Sequence, residues 1–276
     1  MGFTVVHPVH SQTLWAPVEV SNTVHTGSII AMDISAPVQG VEVMDVAAGA
    51  ANVTNLDAPL GVVVGNNNSA PNKVYDTSGE YITAGAEAAW HDNTTQYQGV
   101  EGPLGYGVSG EMVEYIPITA ETVLRGPIRN AAIGTAITEV LVTTGSGTDG
   151  IDCTTAAVDF TPVAAMATLY CRTGANMGVY RHLETTSATV HTFVPAMPAD
   201  IAANDVMVAV PLRFFGTCRA YIDSLGVYID ASAALTSNYW LIDVLRLDLS
   251  VAGDEYVEFR FSPASLNQTV RLNTTA

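Results

Sequence analysis

The sequence predicts an all-β protein: two β-barrel or β-sandwich domains of short antiparallel strands, only single-turn helices, and an extended N-terminal arm. Three observations carry this. Turn-forming Gly, Pro, Asn and Asp recur roughly every 8 to 20 residues, a spacing that suits sandwiches and barrels. In Glu255 to Phe261, Val257, Phe259 and Phe261 alternate with Tyr256, Glu258 and Arg260, a period of two with one face buried. Across the first half no apolar period of 3.6 persists long enough for an amphipathic helix. Apolar residues make up 48% of the 276, enough for a sizeable core and about two domains.

Residues 1–16 read as the arm, because Pro8 and Pro17 block helix. Such a terminus stays mobile unless a partner holds it. Phe3, Val5, His7, His10, Leu14 and Trp15 are therefore the candidate partner contacts. The first fifteen residues have neither a basic n-region nor a long apolar run, so no signal peptide is expected.

Residues 17–125 read as the N-terminal β-domain. Strands are expected at Ser28 to Ile34, Val41 to Val46, Leu60 to Gly65 and Glu111 to Ile118, with another around Ala86 to His91. A loop over 66–72 and a hairpin turn at 78–80 separate some of them. The boundary falls between Thr122 and Thr138, punctuated by Gly126-Pro127.

Residues 126–276 form the expected C-terminal β-domain. Strands are predicted at Ile137 to Thr143, Ala167 to Arg172, Phe214 to Ile222 and Val227 to Asp230. A meander spans Gly178 to Val210, with apolar runs at Val179-Tyr180, Val190 to Val194 and Val206 to Val210, and one helical turn begun by Pro198. A second helical turn is expected at Ala231 to Leu235. A long hairpin closes the domain: Tyr239 to Val251 pairs with Glu255 to Phe261, with Leu241, Leu245, Leu247 and Leu249 on one face and Asp243 interrupting.

Charge narrows the function. The chain has 27 acids against ten basic residues, a net of −17. Up to Leu124 there are 13 acids and only Lys73; from Arg125 onward there are 14 acids and nine arginines. An acidic chain repels phosphate, so nucleic acid is excluded as a partner. Charged residues are 13% of the total, about half the usual share. The surface must lean on Thr, Ser, Asn and Gly, as in extracellular β-proteins and in subunits that bury much of themselves against neighbours. No apolar run approaches the ~18 residues that span a bilayer as a helix.

No catalytic, cofactor or metal site is expected. Ser109 lies in a glycine-rich turn that does not match G-x-S-x-G. The six histidines lack compact ligand spacing. His182 and His191 are placed to face each other across the meander hairpin, as paired strand residues rather than metal ligands. Asp149, Asp152 and Asp159, and Asp223 with Asp230, do not follow a calcium-loop pattern. Cys153, Cys171 and Cys218 form no CxxC and read as buried free thiols, with one disulfide plus one free thiol as the alternative.

Thr26 to Asp33 (TGSIIAMD), Ala58-Pro59-Leu60-Gly61-Val62 and the run Glu111 to Pro117 resemble strands of head decoration (cement) proteins of tailed bacteriophages. Gly178 to Val210, with Arg181, Phe193, Pro195 and Asp200-Ile201-Ala202, is similar to β-domains of phage virion structural proteins. The resemblance implies a non-enzymatic β-barrel or sandwich subunit on the capsid exterior. Its partner would be the major capsid protein, its form a homo-oligomer with a trimer favoured, and its cofactors none. The alternative is a tail, spike or fibre component with a receptor- or glycan-binding β-module, in which Trp15, Trp90 and Trp240 would stack on sugars.

Overall fold

A computed structural model describes residues 2–7, 13–17, 23–24, 27–32, 41–43, 59–66, 91–92, 112–129, 137, 139–145, 150–155, 168–186, 189–210, 212–222, 227–228 and 240–266. The protein is nearly all β, as the sequence predicts, with one short helix, α1 (Pro263–Leu266), among these residues. The chain divides into two compact units. One comprises Met1–Gly126, Ile222–Gly226 and Arg260–Ala276; the other comprises Pro127–Tyr221 and Val227–Phe259.

The first unit holds β1 (Thr4–His7), β2 (Leu14–Pro17), β3 (Thr23–Val24), β4 (Ile29–Met32), β5 (Val41–Val43), β6 (Pro59–Asn66), β7 (His91–Asp92), β8 (Met112–Pro117) and the start of β9 (Val123–Arg129). Five of these form an antiparallel sheet in the order β2-β8-β6-β4-β5. Its core is Ala16, Ile30, Val63, Val113 and Tyr115. Gly61 makes this packing possible. A Cβ there would lie 2.2 Å from Cδ2 of Tyr115, so only glycine lets that ring lie flat on β6. A tight turn joins β8 to β9, with the Thr119 amide donating to Thr122 Oγ1 at 2.9 Å and the Thr122 amide to the Thr119 carbonyl at 3.1 Å. The turn at 78–80 and the strand residues 86–90 lie outside the described residues.

The expected arm is partly strand. β1 pairs with β9 (Thr4↔Arg125, Val5↔Leu124), and β2 pairs with β8 (Leu14↔Tyr115, Trp15↔Glu114). Alternating apolar side chains near each proline suit an edge strand, and β1 and β2 both lie at sheet edges.

The second unit is built on a closed antiparallel barrel. Its strands are β10 (Glu139–Thr144), β11 (Asp152–Thr155), β12 (Thr168–Cys171), β13 (Tyr180–Thr186), β14 (Val190–Val194) and β15 (Val206–Val210), in the order β10-β11-β14-β13-β12-β15. Inward residues alternate with outward ones on each strand, as a small filled barrel requires. Val140, Val142, Cys153, Leu169, Cys171, Leu183, Phe193, Met207 and Ala209 fill the interior, with Met197 and Ile201 packed on the same cluster. Beyond the barrel lie β16 (Gly216–Ile222), β17 (Val227–Tyr228), β18 (Trp240–Asp248) and β19 (Tyr256–Phe261). β16 pairs with β18, and β18 neighbours β19.

Several expectations are corrected. Gly126-Pro127, where the two units divide, sits inside the strand β9. The proline, which has no N–H to donate, falls between the residues that pair with β1 and those that pair with β17. The β9–β17 pair is parallel, unlike the β1–β9 and β16–β18 pairs of the same sheet. β11 was not predicted as a strand. In β18 the buried residues are Trp240, Ile242 and Val244, then Leu247, with Leu249 buried just past its end, so Leu241 and Leu245 lie on the other face. Two consecutive exposed residues, Leu245 and Arg246, shift the phase by one. Asp243 therefore does not interrupt the core; its carboxylate accepts from Thr217 Oγ1 at 2.6 Å across the strand pair.

No helical turn begins at Pro198. The backbone there is held instead by the buried side chain of Asn176, which donates to the carbonyls of Ala199 (2.9 Å) and Asp200 (3.3 Å) and accepts from the Ala199 amide (3.0 Å). Three backbone groups that a helix would use internally are satisfied from outside. The turn expected at 231–235 lies outside the described residues. Asn176→Ala should lower stability in urea by about 1–3 kcal/mol, because it leaves buried backbone groups unpaired. An unchanged unfolding midpoint would show that the 195–205 connection holds itself.

Candidate functional site

The N-terminal candidates take different places. Phe3 is buried at 3% exposure within its own unit, where its ring covers Gly126; a Cβ on that glycine would lie 2.3 Å from Phe3 Cε1. The Phe3 amide donates to the Gly27 carbonyl at 2.8 Å. Phe3 is thus a core residue of its own chain rather than a free contact. Val5 is half-buried on β1, and His7 stands opposite Val123 in the same pairing. Leu14 is exposed and Trp15 half-buried, both on the edge strand β2. His10 lies outside the described residues.

The residues that first invited a chemical reading are absorbed by packing. His191 points into the barrel, fully buried, with Nε2 2.9 Å from Thr155 Oγ1. His182 does not face it: His182 pairs with Val194, while His191 pairs with Thr186 and Cys153. A register shift in β13 between Leu183 and Thr185 separates them, and His182 lies on the outward side. Cys153 and Cys171 are free thiols in the barrel interior, and Cys218 is a half-buried free thiol. Burial pushes Cys153 and Cys171 up to about 12, with nearby Asp205 adding to both, so each stays protonated and inert at neutral pH. Asp152 is on β11; Ser109, Asp149, Asp159, Asp223 and Asp230 lie outside the described residues. Among the described residues no three His, Cys, Asp or Glu side chains converge as a metal site.

One side of the barrel is covered and another is open. On β12 and β15 even the outward residues Thr168, Tyr170, Val208 and Val210 are buried. Arg172, just after β12, shows what anchors that side. Its guanidinium contacts the carboxylates of Glu139 and Glu255, and its Nε donates to the Leu249 carbonyl at 2.9 Å. The side chains of Arg172 and Glu255 are 6% and 2% exposed. Burial opposes the charge on Arg172, yet the hydrogen bonds and charges of Glu255 and Glu139 outweigh it and hold its pKa above the ordinary value.

The open side is the outward face of β10, β11 and β14. It presents Leu141 (54% exposed), Thr143, Thr154, Val190, Thr192 and Val194, with cross-strand neighbours Thr154↔Val190 and Asp152↔Thr192. Thr143 Oγ1 donates to the Thr154 carbonyl at 3.0 Å, so a hydroxyl that would otherwise face water is occupied. The face is β-branched and carries few charges. Beside it, past β13, an aromatic step runs from Tyr170 and Tyr180 (ring centres 4.5 Å apart) through Phe214 to Phe215, which is 60% exposed. The arrangement offers apolar contact and no assembled reacting groups. Sequence reading missed these residues, because alternation shows which residues share a face but not which face stays uncovered. Trp240 is core, and Trp90 lies outside the described residues.

Set against protein families, curated proteins and solved structures, the chain matches none.

In native protein, Ellman's reagent at pH 8 should modify Cys218 first and reach Cys153 and Cys171 only as fast as the barrel unfolds. Equal labelling of all three before denaturation would contradict a closed, packed interior.

Proposed function

We propose that the chain is a non-enzymatic virion structural protein, a decoration or cement subunit bound to the outer face of a major capsid lattice. The observation that carries this is the open barrel face around Leu141, Val190 and Val194. Single exposed apolar residues are ordinary, but several on adjoining strands of one low-charge face mark a contact surface. The resemblance of the 26–33, 58–62 and 111–117 segments to decoration-protein strands points the same way. An acidic subunit also suits the outside of a shell, away from packaged DNA. In this reading the subunit works as a homo-oligomer, with a trimer favoured. It needs no cofactor, and its contribution is added buried area across capsomer junctions. The glycan-binding alternative keeps Trp15, which is half-buried, whereas Trp240 is core.

The test is cryo-electron microscopy of purified particles, with mass spectrometry of their proteins. Density for the barrel on the outer lattice supports the reading, and absence from the particles overturns it. Leu141→Glu together with Val190→Glu should lower occupancy on the lattice at least about tenfold without unfolding the chain, since burying the added carboxylates would cost more than the ~1.4 kcal/mol that a tenfold change represents. Undiminished occupancy would move the contact to another face.

A further inference from the structure

The segment between Leu212 and Gly216 is tied at both ends and packed in its middle against His182, with Tyr180 beside Phe214 and Cys218 hydrogen-bonded to the Arg213 backbone. At one end the Leu212 carbonyl accepts from Thr168 Oγ1 at 2.6 Å. At the other, Gly216 opens β16 and pairs with Val244. Between them, Phe214 lies on the His182 ring with centres 4.7 Å apart, and Phe215 stands edge-on to Phe214 at 4.6 Å and 6.5 Å from His182. The His182 Nδ1 is buried and makes no hydrogen bond.

A neutral imidazole suits this half-buried place better than an imidazolium. Protonation makes both ring nitrogens donors, and Nδ1 has no acceptor in reach. The Phe214 face attracts a cation weakly, but no carboxylate accepts from Nδ1. Arg213, on the held segment, acts on His182 with like charge. β12 presents Thr168 opposite His182, and Tyr170 two residues on. β14 presents Val194. On β13 itself Tyr180 and the exposed Glu184 flank it, two residues away on either side. Asp248 and Arg246 act on Tyr180 one layer further out.

We infer that His182 is an acid-sensitive latch: neutral, it holds Phe214 and Phe215 against the barrel; protonated, it leaves the aromatic step and releases them. Burial, then Arg213, lowers the His182 pKa from its ordinary 6.5. The sign follows. The folded state favours the neutral ring, so its stabilisation is fully present above pH 6.5 and is lost as pH falls through that value toward the folded-state pKa. The inference is independent of any capsid partner.

The test is NMR of the full chain carrying 13C-labelled histidine and phenylalanine, titrated from pH 8 to pH 4.5. The His182 signal is assigned by its loss in His182→Gln. The expected result is a His182 midpoint below 6.5, with the Phe214 and Phe215 ring signals moving at the same midpoint. In His182→Phe and His182→Gln those ring signals should stop moving over that range, and Arg213→Gln should raise the midpoint. A His182 midpoint at or above 6.5 would overturn the latch. So would ring signals that stay still in the parent chain, or that move equally in both His182 variants.

Discussion

The guanidinium of Arg172 lies buried between Glu255 and Glu139, and the second unit is arranged around that contact. Arg172 leaves β12, Glu139 opens β10, and Glu255 closes the turn between β18 and β19. The Arg172 backbone amide also donates to the Val206 carbonyl on β15 at 2.8 Å. Through side chain and backbone together, Arg172 ties three barrel strands to the 249–255 turn, whose own amide at Gly253 donates to the other oxygen of Glu255 at 3.0 Å. The Leu249 amide donates to Tyr180 Oη at 3.2 Å, and its carbonyl accepts from Arg172. Taking such charges out of water is expensive, so the triad specifies an arrangement more than it adds net stability.

The barrel surface is covered unevenly around that contact. The outward residues of β12 and β15, including Tyr170 and Val208, are buried, and Arg172 at the end of β12 holds the 249–255 turn. The outward side of β10, β11 and β14 has no such cover, and its Val, Leu and Thr residues meet solvent. Glu139, the charge nearest that open face on β10, is turned to Arg172. The contact that closes one side therefore also lowers the charge of the other.

Much of the fold was legible in the sequence. Val190 to Val194 and Val206 to Val210 are strands to the residue, because each is a β-branched run between polar or proline-containing turns. Val257, Phe259 and Phe261 are buried as their alternation predicts. The misses have local causes. β11 reads Asp-Cys-Thr-Thr, and its inward residues, Cys153 and Thr155, are too weakly apolar to show a face. β18 changes phase at Leu245-Arg246, which a strict period of two cannot register. The 195–205 connection follows the side chain of Asn176, some 20 residues away, rather than any signal of its own. The site was less legible than the fold. Phe214-Phe215 is plainly apolar, but its exposure depends on the ties at Leu212 and Gly216, and the open barrel face depends on where a distant turn docks.

The central claim is that the Arg172–Glu255 pair is a coupled, buried constraint on the second unit. A double-mutant cycle of Arg172→Met and Glu255→Met, read by equilibrium urea unfolding, tests it most directly. Each single substitution should cost about 3–5 kcal/mol by stranding the other charge, and the double substitution should cost well under the sum. Single losses below about 1 kcal/mol that simply add would place both residues in water and contradict the claim.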